Sequence, residues 1–192
     1  MKFVDKLVFD IETKNSFDDV GGRENLKKLE VSVVGVYSYD KDEYACFEEH
    51  ELPKLAEMLR NTRLLIGFAS KRFDVPVLEK YFNFNIAAIP HYDILEEVEA
   101  KLGRRIGLGI LAEANIGAGK SGHGIEAIEL YRRGEIEKLK TYCVNDVKIT
   151  KEIFDLICAK GELWIPQRNS SQMRKIEVTY KEPEESPQGQ LF

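Results

Sequence analysis

The chain has 192 residues, 43% of them hydrophobic and 32% charged, which is a composition of folded globular domains and long enough for one sizeable core. With 28 basic against 33 acidic residues the formal charge is −5, which excludes a protein that coats nucleic acid through bulk positive charge while still allowing a local basic patch. The three cysteines Cys46, Cys143 and Cys158 form no CxxC pair, so neither a disulfide framework nor a zinc spacing is expected and a reducing cytoplasm fits; no stretch approaches the length of a membrane span, and the first residues do not read as a signal peptide.

The first element in chain order is Leu7 to Ile11, a short β-branched run with polar flanks, predicted as a buried strand. Thr13 to Glu30 is polar and contains Gly21-Gly22, which predicts a long loop with one helical turn near Leu26 and Leu29. Val31 to Tyr39 and Tyr44 to Phe47 flank the polar turn Asp40 to Glu43 and predict a hairpin. Glu51 to Arg60 repeats Leu52, Leu55, Ala56 and Leu59 at helical spacing, with Pro53 in the first turn, where a missing N–H costs little. A strand over Leu64 to Ile66 ending at Gly67 follows, then helices over Phe73 to Phe82, Tyr92 to Leu102, Gly107 to Asn115 and Gly124 to Arg133. The longest predicted helix is Glu135 to Ala159, on which Leu139, Cys143, Val147, Thr150, Phe154 and Ile157 recur at three and four residues. Beyond it, Leu163 to Ile165 and Lys175 to Tyr180 alternate like two strands, and Lys181 to Phe192 is a proline-containing polar tail expected to be disordered. The expected organisation is a main domain over 1–160, a small β appendage over 161–180 and a tail over 181–192.

Asp10 and Glu12 are two apart on the first strand and project from one face. Tyr142 and Asp146 are four apart on the last helix and share a face as well. Asp74 follows the apolar stretch Leu64 to Phe68 at the mouth of a helix. Singly, each such acid reads equally as a capping or solvated group; brought together they would repel unless divalent cations neutralised them, which makes the set a candidate metal site.

Three stretches of the chain resemble, in order and separation, the motifs of the DEDD exonucleases of the ribonuclease H-like superfamily, in the subgroup with tyrosine in the third motif. They are Phe9-Asp10-Ile11-Glu12-Thr13, Gly67 to Asp74 with Pro76 and Leu78, and Tyr142-Cys143-Val144-Asn145-Asp146-Val147. The resemblance covers roughly residues 5 to 158. It implies an α/β, ribonuclease H-like fold with a central mixed sheet flanked by helices, two Mg²⁺ or Mn²⁺ ions, and stepwise 3′ to 5′ removal of nucleotides from single-stranded or frayed ends. By similarity Asp10 would bridge both ions, Glu12 and Asp146 would hold the one that carries the attacking water, Asp74 would assist through water, and Tyr142 would orient the nucleophile. Many relatives carry asparagine where this chain has Ala69. That departure reads either as a lost polar contact, consistent with a weakened or inactive nucleic-acid-binding module, or as a packing substitution compensated nearby.

In relatives the glycine-rich segment Gly103 to His123 lies along the nucleic-acid groove, which makes Lys71, Arg72, Arg104, Arg105 and Lys120 candidates for phosphate contact or simply a solvated helix end. Gly117 to Gly122 lacks the spacing of a phosphate loop, and His123 stands outside the third-motif spacing. Trp164, with Arg168, Arg174 and Lys175, reads either as a stacking surface for single strands or as the residue that packs the hairpin onto the body. The terminal Gln188, Leu191 and Phe192 resemble the Gln-x-x-Leu-Phe peptide that docks replication and repair proteins on bacterial sliding clamps, and read equally as an arbitrary hydrophobic end.

Overall fold

The computed structural model describes residues 5–119, 124–167 and 172–182. Its centre is a five-stranded mixed sheet in the order β3-β2-β1-β4-β5. The strands β1 (Asp5–Thr13), β2 (Val31–Ser38) and β3 (Glu43–Glu48) form an antiparallel meander, while β4 (Thr62–Gly67) and β5 (His91–Asp93) run parallel to β1. After the meander reaches the edge at β3, α1 (Leu52–Arg60) carries the chain back across the sheet to β4, which pairs parallel with β1.

The period of two along β1 divides the core. Leu7, Phe9 and Ile11 face one layer, where they meet Leu52, Leu55 and Leu59 of α1 and Val75, Val77 and Leu78 of α2 (Asp74–Leu78). Val8 faces the other layer, built from α3 (Ile94–Leu102), α4 (Leu108–Ile116) and the long α6 (Ile136–Lys160), with α5 (Gly124–Arg132) packed on α6. Helices on both faces of a mixed sheet agree with the ribonuclease H-like architecture expected.

The hairpin of β6 (Glu162–Pro166) and β7 (Met173–Glu177) belongs to the same hydrophobic body. Leu163, Ile165, Ile176 and Val178 are buried in one cluster with Val8, Ile66 and Phe154. Tyr180 then seats its ring against Tyr92 and Phe154, with centroids 5.3 and 5.0 Å away. Trp164, by contrast, stands outward and is 43% exposed, so Leu163 and Ile165 fasten the hairpin to the body and the indole does not.

Most predicted elements lie where the patterns put them, with three differences. The strand β5 occupies His91 to Asp93, where a helix was expected to have started, because Asp93 caps α3 by accepting hydrogen bonds from the N–H groups of Leu95 and Glu96. The helix expected over Phe73 to Phe82 stops at Leu78 and tightens into a 3-10 turn over Glu79–Tyr81. The last strand runs Met173–Glu177 instead of Lys175 to Tyr180. Among the described residues no helix is long and apolar enough to cross a membrane.

Candidate metal centre

Asp10 and Glu12 continue the Val8 face of β1 toward α6, at the carboxyl end of the strand. The register with β2 slips between Glu12 and Thr13, so an irregularity interrupts the pairing beside the acids, a common device for re-aiming side chains next to a site. Asp146 and Tyr142 lie on the inner face of α6, 1% and 6% exposed. Carboxylate oxygens of Asp10, Glu12 and Asp146 all lie within 4.8 Å of one another.

Close approach of α6 to the sheet depends on a missing side chain. Gly35 on β2 is the register partner of Asp10, and a Cβ there would stand 2.9 Å from Val147 Cγ2 and 3.0 Å from Cys143 Sγ. Because Gly35 has no Cβ, one turn of α6 rests directly on the strand beside β1 and lowers Asp146 to the level of Asp10. Cys143 is completely buried, with its Sγ 3.5 Å from the Asp10 backbone oxygen and 3.9 Å from Oδ2. The neighbouring Cys46 thiol, burial and the Asp10 charge together hold the Cys143 thiol neutral, its pKa well above the ordinary range.

Asp74 enters from the other motif. The pairing of β1 with β4 ends at Val8 opposite Ile66, and farther along β1 the Ile11 N–H donates to Asp74 Oδ1 at 3.1 Å. The carboxylate thus takes the position of a strand partner between the two acids of β1, only 3% exposed. Asp93 fixes the loop that delivers it: its Oδ1 accepts from the Ala69, Leu95 and Glu96 N–H groups and its Oδ2 from the Lys71 N–H, at 2.9 to 3.3 Å. Ser70 Oγ lies 2.8 Å from His91 Nε2 under the same loop, and burial pushes the His91 imidazole down to about 4. Ala69, the position that departs from the resembled pattern, has φ 64°, a left-handed conformation that asparagine or glycine adopts at less cost.

Asp93, His91 and Gly35 were not among the candidates from sequence. Only Asp93 had a local signal, an acid at the start of a helix with Glu96 three residues on.

The basic candidates disperse. Lys71 Nζ lies 2.9 Å from Glu96, and Arg72 reaches Glu99 at 2.8 Å, so both are exposed partners of α3 acids. Arg104 turns to the hairpin and donates to the Pro166 carbonyl at 3.2 Å, while Arg105 is exposed. Lys120, His123, Arg168, Gln188, Leu191 and Phe192 lie outside the described residues.

The donor set suits a hard divalent cation. All three donors are carboxylates, and their 4.8 Å spread is within the span of oxygens bound to one such ion, about twice a metal–oxygen distance of roughly 2.1–2.4 Å. Two of the three acids are buried, so an ion would offset charge repulsion that little water can screen.

The fold has counterparts among solved structures. A family B DNA polymerase from the archaeon Pyrobaculum calidifontis superposes with a TM-score of 0.62 at 16% identity over 80% of this chain and 24% of that one. Escherichia coli ExoI, in a zinc-bound complex with single-stranded DNA, gives 0.55 at 13% identity over 81% and 40%. RNase D of Trypanosoma brucei gives 0.51 at 16% identity over 78% and 56%. The chain therefore spans from a quarter to just over half of the length of these proteins, and at such identities the likeness is one of fold. No curated protein matches it in sequence. The profile of the RNase_H superfamily does match, over residues 7–158, a span that holds all five strands of the sheet but the first two residues of β1, together with Asp10, Glu12, Asp74 and Asp146, and the chain belongs to that superfamily.

Proposed function

We propose that the chain is a divalent-metal-dependent 3′ to 5′ exonuclease acting on single-stranded or frayed ends, DNA in preference to RNA. The convergence of Asp10, Glu12 and Asp146 within 4.8 Å carries the reading. The order of the three motifs, which resembles the tyrosine-type DEDD exonucleases, supports it, as does the likeness in fold to ExoI, a protein seen holding single-stranded DNA.

Asp10, Glu12 and Asp146 would hold Mg²⁺ or Mn²⁺. A pair of such ions, when bound, lowers the pKa of a water and neutralises the departing 3′ oxygen. Asp74, tied to the Ile11 N–H, keeps the end of β1 in place so that Asp10 and Glu12 stay aimed at α6. Tyr142, one helical turn before Asp146 on the same buried face, would orient the water that attacks phosphorus. In the hydrolysis the water oxygen bonds to phosphorus, the bond to the 3′ oxygen breaks, and a proton passes to that oxygen.

Oligonucleotides labelled at the 5′ or the 3′ end, in DNA and RNA versions, test this in Mg²⁺, Mn²⁺ and EDTA. Expected is stepwise shortening of the 5′-labelled strand that EDTA abolishes and Asp146→Asn lowers at least a hundredfold, several kcal/mol in the barrier being about the worth of metal activation. Persistence of shortening in Asp146→Asn, or intact substrate in both metals, refutes the assignment. Tight binding without cleavage would instead favour a module that keeps the fold without turnover.

A further inference from the structure

We propose that the outward face of the β6–β7 hairpin is a second nucleic-acid surface, on which Trp164 stacks a base of a single strand while Lys175 and Arg104 meet its phosphates. The alternation along β6 buries Leu163 and Ile165 and turns Trp164 out between them. On β7 the register partner of Trp164 is Lys175, and Met173 stands opposite Pro166. Trp164 is 43% exposed, Met173 39% and the Lys175 side chain 45%.

The indole sits on a fixed base. The Trp164 backbone N–H donates to Asn115 Oδ1 at 2.7 Å and its backbone carbonyl accepts from Asn115 Nδ2 at 2.8 Å, so a side chain of α4 clasps the strand edge as another strand would. With its backbone fixed in this way, the exposed ring has only its two side-chain torsions to lose on binding. Lys175 Nζ lies 5.1 Å from the ring centroid and 2.8 Å from Glu162. An exposed pair of that kind contributes little, so the ammonium can exchange the carboxylate for a phosphate. Toward the Pro166–Met173 end stands Arg104, hydrogen-bonded to the Pro166 carbonyl, while Arg174, the register partner of Ile165, belongs to the other face; Glu162 and Glu177 close the opposite end.

A ring flanked by cations in a chain of net charge −5 matches the two parts of a single strand, base faces and phosphates, whereas a duplex hides its base faces within the stack. The choice of ligand rests on the reading that the chain acts on nucleic acid, and the experiment separates the two.

Trp164 is the chain's single tryptophan, so its emission reports on this face alone. Polythymidine is titrated in EDTA, which prevents metal-dependent cleavage. Expected are quenching of Trp164 emission that weakens with added salt, affinity lowered about tenfold in Trp164→Ala and in Lys175→Glu by anisotropy of labelled polythymidine, and recovery in Trp164→Phe. Wild-type affinity in Trp164→Ala, unchanged emission, or equal quenching by a fully paired duplex overturns the proposal. A patch for a protein partner likewise predicts unchanged emission. Quenching by a chain that degrades no substrate leaves this surface standing and removes the nuclease assignment; degradation with unchanged emission does the reverse.

Discussion

Gly35 lies opposite Asp10 across the β1–β2 ladder, and its missing Cβ is the space in which Cys143 and Val147 of α6 rest. Gly35→Ala forces either the helix or the strand aside, since neither the Val147 methyl nor the Cys143 sulfur sits at the end of a long flexible chain. The expected cost is about 1–3 kcal/mol in urea denaturation, the usual range for overpacking. Asp146 rises from Asp10 with the helix, so the increase in melting temperature on adding Mn²⁺ should shrink as well. An unaltered metal-induced shift would show that the acids are positioned by something other than this contact.

Asp93 joins the loop before Asp74 to the first turn of α3 through four backbone hydrogen bonds on a carboxylate only 1% exposed. Asp93→Ala strands those donors in the interior and should cost about 2–4 kcal/mol, with Asp93→Asn recovering part. If the loop delivers Asp74, the alanine variant also loses metal-dependent activity at a temperature where it remains folded. Full activity in that variant would confine Asp93 to capping.

The left-handed conformation of Ala69 costs stability for an L side chain, against which stand the methyl group's contacts with the neighbouring hydrophobic cluster. Ala69→Gly and Ala69→Asn should each stabilise the protein, by about 0.5–1 kcal/mol, read as a higher denaturation midpoint at constant slope. A loss of stability in both would mean that the methyl group's contacts outweigh the backbone strain.

His91 is neutral in the folded chain down to about pH 4, whereas in an unfolded chain it takes up a proton near 6.5. Between those values the unfolded state binds more protons, so stability falls as the pH is lowered through this window and its His91 part is complete below about 4. The contribution is at most about 3 kcal/mol. Stability of wild type and His91→Gln, measured from pH 7 to 4, should converge toward the acid end; parallel curves would contradict the assignment.

Asp10, Glu12, Asp146 and Tyr142 could be read before any fold was known because two periodicities aim them: Asp10 and Glu12 stand two apart on a strand, and Tyr142 and Asp146 four apart on a helix. Their convergence follows once α6 crosses the β1 face. Gly35 gave no such signal, since its importance appears only when one knows which strand lies under α6. The strand β5 has three residues, too few to show a period, and its last residue is also a helix cap. For Trp164 the alternation was visible but not its sense; flanking by Leu163 and Ile165, both buried, decides which way the indole faces. The ion pairs of Lys71 and Arg72 left no local signal, because Glu96 and Glu99, their partners, lie more than twenty residues along the chain.

The superfamily match stops at residue 158, yet Leu163, Ile165, Ile176 and Val178 continue the oily interior past that limit. A protein trimmed at the homology boundary would therefore bare the flank of Ile66 and Phe154 and clump, and anyone shortening the chain should keep it through Tyr180, whose ring closes the seam against Tyr92.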